Sequence, residues 1–599
     1  EYVEYLNKKC ENIHKKYRRT MWDFETNITH QTRKKSMVTS LEMTQFQKNL
    51  NEALQPLKSL PVNNPNLERQ IKLLYLPGMA SLPDYKITEF EQVLYAMSTI
   101  YNAAAVNEWQ NPLERVSADP VIVNRMAKSR DPDELKYYWL EWRKATGKRI
   151  RSLYEQYVEL MDLTAKSNGF SDAGEMWTRR YETEDFMQLL GSHWEDMRPL
   201  YNELHAYVRH GLHQTYGAVN NATDTGTIPV HLTGDLWGED WRNLYQLLAP
   251  YHDDLNYMDI DLMEKENDLP ALLPTMNNVV AAIRTGNRKK LTVRKMVNEA
   301  EKMFHSLGFE KLPPSFWNKS VFVKSNVSEM TCQPSVWDML GNNDYRMKFC
   351  GKSTMDDFFK VHEMLAKIEY FAQYQNLSFP FREAANPSFG DAIAGAIALS
   401  AKSRRHLEMI NMIPRQKRIK EADTNFLVRM ALEKVASLPY SYIIDLWRHR
   451  VFQGEIPNSQ YNEKWWELRT QYQGVSPPVE RNEEDFDIGS KLEVAANKPY
   501  IKYFLSTLME FQIHEALCEQ AGHKGDLYNC DITSSAKSGK KLRKVMSMGA
   551  SQHWRIALKE LTGERRLESG PLLRYFQPLY TWLKERNNED GQHSGWHTS

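Results

Sequence analysis

A mainly helical fold is what this sequence predicts, and three observations predict it. Long segments carry apolar residues at helical spacing, strand signals are few and short, and no Ser/Gly linker, internal repeat or low-complexity tract divides the chain. The helical segments are 40–57, 88–108, 133–166, 185–215, 291–307, 354–375, 391–402, 419–437 and 500–520. The chain opens inside a further charged helical pattern, Glu1-Tyr-Val-Glu-Tyr-Leu6, as a mature or trimmed ectodomain would. Val321-Phe322-Val323 is a representative short strand signal. Pro and Gly punctuate the joins at Leu76-Pro-Gly, Asn386-Pro387 and Ser476-Pro-Pro. Residues 262–290 run from acidic to basic and read as a surface insertion. Residues 1–587 read as one ectodomain, and 588–599 as a polar tail without order.

Composition excludes several function classes. Of 599 residues, 41% are apolar and 26% charged, ordinary for a chain with a large core. Lys plus Arg equals Asp plus Glu, 77 against 77, so no net field draws nucleic acid or an anionic membrane. No run of about 20 apolar residues offers a membrane span. Trp (16) and Tyr (30) are abundant, which suits aromatic core clusters or an aromatic cleft.

Five cysteines are present: Cys10, Cys332, Cys350, Cys518 and Cys530. The last four form two local groups, 18 and 12 residues apart, without C-x-x-C spacing. Sequons stand at Asn27, Asn221, Asn318, Asn326 and Asn376. Together they favour an oxidising, glycosylating route: a secreted chain or the ectodomain of a membrane-anchored one. Cys10 is left over, either buried and free or paired with another chain.

The helix around 354–375 carries His362-Glu363, which at first suggests H-E-x-x-H. In that motif two histidines at i and i+4 converge on one zinc while the Glu polarises the bound water. Here i+4 from His362 is Ala366, so no second imidazole shares the face, and a lone His-Glu pair is ordinary helix. Glu363 and Lys367, at i and i+4, are instead spaced as a helical ion pair. His514-Glu-Ala-Leu-Cys518 fails as a zinc motif as well.

Longer runs carry a resemblance that spans nearly the whole chain. They are Trp22-Asp-Phe-Glu-Thr-Asn-Ile-Thr29, Ile228-Pro-Val-His-Leu-Thr-Gly-Asp-Leu-Trp237, Phe381-Arg-Glu-Ala-Ala-Asn-Pro387, Trp465-Trp466 with Tyr472-Gln-Gly-Val-Ser-Pro-Pro478, Pro499-Tyr-Ile-Lys-Tyr-Phe504 and His514-Glu-Ala-Leu-Cys-Glu-Gln-Ala-Gly-His523. By these the chain is similar to the angiotensin-converting enzyme family of zinc dipeptidyl carboxypeptidases. The resemblance implies a helical ellipsoid with two subdomains around a deep cleft. Lid helices fall roughly at 1–115, and the disulfides are Cys332–Cys350 and Cys518–Cys530.

In that register the family's H-E-M-G-H falls on Glu363 to Lys367. The first zinc ligand becomes Glu363, the catalytic carboxylate Met364, the second ligand Lys367, and the third ligand Asp391. A substrate-binding His becomes Gln333, and its neighbour becomes Pro334, which has no N–H to donate. The Gln that receives the substrate's terminal carboxylate becomes Glu239, and the His that steadies the tetrahedral intermediate becomes Glu493. Lys491, Tyr500 and Tyr503 are retained, and a chloride-site Arg becomes Lys502, which leaves a chloride expected nearby.

The resemblance therefore implies a zinc-less invertebrate member of the nematode non-peptidase type. It would be no enzyme, hold no zinc, and serve an extracellular binding or signalling role in development, as in moulting or cuticle formation. Its partner would be an extracellular protein or peptide, no nucleic acid, with a homodimer allowed. The alternative is an altered hydrolase with a carboxylate-rich cleft or another cation. Lys367 is expected to lie between Glu363 and Asp391, where the metal would sit.

Overall fold

A computed structural model describes residues 1–58, 63–76, 78–217, 226–251, 291–415 and 419–596. The insertion expected at 262–290 and the sequon at Asn221 lie outside these residues. The mainly helical prediction holds. Helices of eight residues or more are α1 (Tyr2–Thr26), α2 (His30–Lys58), α3 (Pro65–Leu74), α4 (Asp84–Asn102), α5 (Pro132–Ala145), α6 (Gly147–Ser167), α7 (Phe186–Tyr216) and α8 (Val293–Ser306). They continue with α9 (Met355–Tyr374), α10 (Phe389–Lys402), α11 (Lys420–Lys434), α12 (Ser437–Phe452), α13 (Tyr461–Leu468), α14 (Lys502–Gln520), α15 (Ala536–Met548), α16 (Trp554–Thr562) and α17 (Gly570–Glu589). Strands pair two by two: β1 (Ala105–Asn107) with β2 (Arg115–Ser117), β4 (Ser335–Asp338) with β5 (Tyr345–Lys348), both antiparallel, and β3 (Ile228–Pro229) with β6 (Val475–Ser476), parallel. Val321 makes only an isolated bridge to Lys348 rather than a strand.

The segment 133–166, periodic throughout, is two helices and not one. Thr146 leaves helical geometry at φ −117°, ψ −85°. The chain then passes so close to Phe486 that a Cβ on Gly147 would stand 2.0 Å from its carbonyl oxygen. Only glycine fits that approach.

Two apolar clusters form. A small one joins α1, α2 and α3 through Val3, Leu6, Cys10, Leu50, Leu54, Ile71, Leu74 and Tyr75. The large one unites the body. The N-terminal helices meet the body through polar ties: Lys348 to Glu25 at 2.5 Å, Arg382 to Glu11 at 3.3 Å, and Arg69 to Glu182 at 3.0 Å.

At the centre α10 packs against both α9 and α14. Its run Ala392-Ile-Ala-Gly-Ala-Ile-Ala-Leu399 is buried on every side, as a central helix must be. Gly395 admits the Glu510 carboxylate, whose oxygen would lie 1.8 Å from a Cβ there. Helix α9 begins with a reciprocal cap in which the Thr354 hydroxyl accepts from the Asp357 N–H and the Asp357 carboxylate accepts from the Thr354 N–H.

The polar tail expected from 588 is ordered through Trp596. The Trp596 indole donates to the Thr470 carbonyl at 2.6 Å and packs on His205, and the Arg209 guanidinium holds the His593 carbonyl at 2.8 Å. One tryptophan and the backbone carbonyls anchor a segment whose side chains are otherwise polar. Both expected disulfides are present, Cys332–Cys350 and Cys518–Cys530. Cys10 is free and buried, and burial pushes its thiol up to about 12.

Candidate functional site: a charged cleft floor

Two cavities meet at the middle of the fold. One, of about 340 Å³, is polar and bordered by Glu239, Glu363, Lys434, Tyr500 and Tyr503. The other, of about 530 Å³, lies under α1 and is bordered by Tyr17, Trp337, Tyr370, Phe371 and Tyr374. Lys367 and Asp391 border both. Their side chains form an ion pair between α9 and α10, and this pair is the partition between the cavities.

The polar chamber is walled by side chains from distant segments. Lys360, Glu363 and Lys367 share one face of α9 at i, i+3 and i+7. Glu363 pairs with Lys360 at 2.8 Å, not with Lys367 as its spacing suggests. Lys367 reaches across to Asp391 instead, and Lys502 approaches the same carboxylate at 3.8 Å. The expected single cation between two carboxylates is thus corrected to two separate pairs. Behind them Lys402 binds Glu433 at 3.0 Å and Lys434 binds Glu510 at 2.7 Å. Burial alone would raise the Glu363 pKa. The charges of Lys360, Lys434 and Lys402 outweigh it and hold that carboxyl at about 2. Glu433 is likewise held well below the usual carboxylate range, because Lys402, Arg242, Lys434 and Arg429 outweigh its burial.

At the far end of the chamber sits a second, more buried arrangement. Asp235 accepts the backbone N–H groups of Trp237 and Glu239, at 3.1 and 2.9 Å, which turns the loop and fixes Glu239. The Asp445 carboxylate accepts the N–H groups of Tyr500 and Ile501, at 2.6 and 2.7 Å, just before α14. The loops so held bring Glu239 against Lys491, at 2.6 Å, and against the Tyr500 hydroxyl, which donates to it. Lys491 is 8% exposed and faces the rings of Trp237, Tyr500 and Tyr440, 4.6, 5.2 and 5.7 Å from their centres. Burial would lower its pKa, but Glu239 and the surrounding phenols and acids raise it well above the ordinary lysine range.

Other residues singled out by sequence fall elsewhere. Met364 is buried in the core, and His362 is fully buried with its ring bonded to the Phe358 carbonyl at 2.8 Å. Gln333 and Pro334 are exposed and border neither cavity. Glu493 stands 3.9 Å from Lys491, while Tyr503 is 39% exposed at the chamber wall, beneath the Lys502 ammonium. Asn27, Asn318, Asn326 and Asn376 are exposed. Sequence reasoning missed Lys360, Lys402, Glu433, Lys434 and Glu510. For Lys402 and Glu510 the one signal was a charge set into a largely apolar helix, whereas Glu433 and Lys434 end a helix already rich in charge.

The peptidase M2 family, described as angiotensin-converting enzyme, matches residues 1–596. The chain belongs to the angiotensin-converting enzyme family. Angiotensin-converting enzyme of Mus musculus is 38% identical over 599 residues, 99% of this chain and 43% of that protein. The same enzyme of Rattus norvegicus is 37% identical over 596 residues, again 99% and 43%. Angiotensin-converting enzyme-like protein Ace3 of Mus musculus is 34% identical over 597 residues, 99% of this chain and 77% of that protein. The chain therefore spans less than half the length of the first two relatives. Among the described residues no helix is long and apolar enough to cross a membrane.

These matches correct two expectations. A chain that is no enzyme and a chain that takes no zinc were both read from the altered motif. The family and the relatives are named for an enzyme, no observation shows activity lost, and membership of a zinc peptidase family implies zinc. The residues at the partition nevertheless do not fit that metal: an ammonium occupies the gap beside Asp391, and among the described residues no histidine borders the polar chamber, while the adjoining cavity has only His14 of α1. Among the described residues the one His/Cys group with ligand spacing is His514, Cys518 and Cys530. Its two sulfurs are joined to each other, so neither is a thiolate.

Proposed function

We propose that this chain is an extracellular, peptide-binding member of the angiotensin-converting enzyme family. The observation that carries the reading is the pair of adjoining cavities, one aromatic and one charged, divided by a single ion pair. An extended peptide laid across Lys367 and Asp391 places an apolar side chain among Trp337, Phe371 and Tyr374 and its polar end in the chamber. Pockets of this size suit small ligands and peptide ends. Two disulfides and four exposed sequons support the extracellular setting. A developmental role, in moulting or cuticle formation, goes with this reading on the strength of the sequence resemblance.

Cleavage of the bound peptide is the second reading, favoured by the enzyme names of the relatives and by Tyr503 at the chamber wall. Calorimetry of the glycosylated chain with N-acetyl-Phe-Ala-Pro amide, with mass analysis of the mixture afterwards, tests both. Saturable binding that weakens about tenfold in Trp337→Ala, equivalent to about 1.4 kcal/mol, is expected. Binding indifferent to Trp337, or none, overturns the first reading. Fragments of the peptide would establish the second.

A further inference from the structure

A third cavity, of about 320 Å³, lies between α3 and the body. It shares only Arg180 with the aromatic cavity and no residue with the charged chamber. Its inner wall is apolar: Phe90 of α4, Met161 of α6, and Met79, Met176 and Trp177 from two short helices beside them. Methionine side chains adapt their shape to an apolar guest. Trp177 is fixed by an edge-on contact with Phe452, 5.0 Å between ring centres, and by the Arg448 guanidinium, 4.9 Å from its own ring.

The rim has the opposite character. Lys72, Arg179 and Arg180 stand there against one acid, Glu182. That acid is already held by Arg69 at 3.0 Å and Lys72 at 2.6 Å, and Arg180 pairs with Glu383. Arg179 differs from its neighbours, because among the described residues no carboxylate forms an ion pair with it. Its guanidinium caps α3 instead, donating to the carbonyls of Lys72 and Tyr75 through three hydrogen bonds of 3.0, 2.9 and 2.9 Å. A guanidinium has about five N–H donors, so capacity remains for a ligand. Burial and the charge of Arg180 lower the Arg179 pKa, and an anion beside it relieves both.

An apolar wall beneath a cation with donors to spare is the complement of an anion with an apolar tail, and the planar fork of arginine matches a carboxylate. We propose that this cavity binds a medium-chain fatty acid, with its carboxylate on Arg179 and its chain among Phe90, Met161 and Trp177. The volume stands at the small end of ligand pockets, about 300–1,000 Å³, which suits one short acyl chain. The bound acid joins α3 to the body and so stabilises the folded chain. This site does not depend on the peptide-binding reading.

Calorimetry of the full chain with sodium octanoate, octan-1-ol and sodium acetate tests the assignment. Octanoate should bind saturably at one site and raise the thermal midpoint. Octan-1-ol, which lacks the charge, should bind at least about tenfold more weakly, and acetate, which lacks the chain, should not bind. Leu73→Trp adds bulk at the half-buried α3 wall and should weaken octanoate at least about tenfold. Should that variant fail to fold, Met161→Phe narrows the cavity from α6 with the same expected loss. Arg179→Gln should weaken octanoate and leave octan-1-ol unchanged, a split that mere loosening of α3 would not produce. No saturable octanoate binding, octan-1-ol binding as tight as octanoate, or octanoate binding indifferent to the narrowed cavity overturns the site. Equal weakening of both ligands in Arg179→Gln overturns the role of Arg179 and the proposal with it.

Discussion

Two of the lysine–carboxylate pairs around the chamber, Lys367–Asp391 and Lys491–Glu239, differ in what surrounds them. Lys367 and Asp391 are one-third and one-quarter exposed, and the pair divides two solvent-reachable cavities. Lys491 and Glu239 are 10% and 18% exposed in their side chains, with aromatic rings on the cation and a phenol on the anion. An exposed pair gains about 0–1 kcal/mol because water screens it and two long side chains lose freedom. A buried pair adds little net stability as a pair, yet removing one partner strands a charge at about 3–5 kcal/mol. The position that the family register assigns to a metal is therefore held by the weaker pair. The inner end of the chamber is held by the pair whose loss should cost more.

The largest expected effect is Lys491→Met. It leaves Glu239 and Glu493 without their cation and should lower unfolding free energy by about 3–5 kcal/mol in urea titration. Lys367→Met should cost about 1 kcal/mol or less in the same assay. Double-mutant cycles sharpen the contrast, with a coupling between Lys491 and Glu239 at least about twice that between Lys367 and Asp391. Equal couplings would remove the distinction.

Smaller effects appear on the pH axis, with opposite signs. Glu363 has a pKa depressed to about 2, so its contribution is complete above the ordinary carboxylate range and is lost as pH falls toward 2. Glu363→Gln should flatten that acid limb. Glu369, on the same helix, is 3% exposed with one oxygen unbonded, and burial, aided by Glu301 and Glu310, raises it to about 8. The folded state then holds a proton the unfolded state releases, so stability falls as pH rises from the ordinary carboxylate range to about 8. Glu369→Gln should abolish that slope.

Much of the fold was legible, and the failures are physical. Amphipathic helices such as α8 and α9 announce themselves by a stripe. Helix α12 does not, because almost every residue from Leu438 to Phe452 is buried and no polar face remains to set a period. The 588–596 segment reads as polar because its anchors are backbone carbonyls and one tryptophan. At the site, the register located Glu363, Lys367, Asp391, Glu239 and Lys491 one by one. It could not say which charges pair. Lys367 has a helical neighbour at Glu363 and takes a partner from α10, a choice set by how α9 and α10 pack. Trp237 and Tyr440, which enclose Lys491, lie more than 200 residues apart in sequence and meet only in the folded core.

The central claim is that a peptide lies across the Lys367–Asp391 partition. A crystal structure of the chain with N-acetyl-Phe-Ala-Pro amide tests it most directly. The account predicts the aromatic side chain among Trp337, Phe371 and Tyr374 and the amide end in the charged chamber. A peptide bound outside both cavities would contradict it.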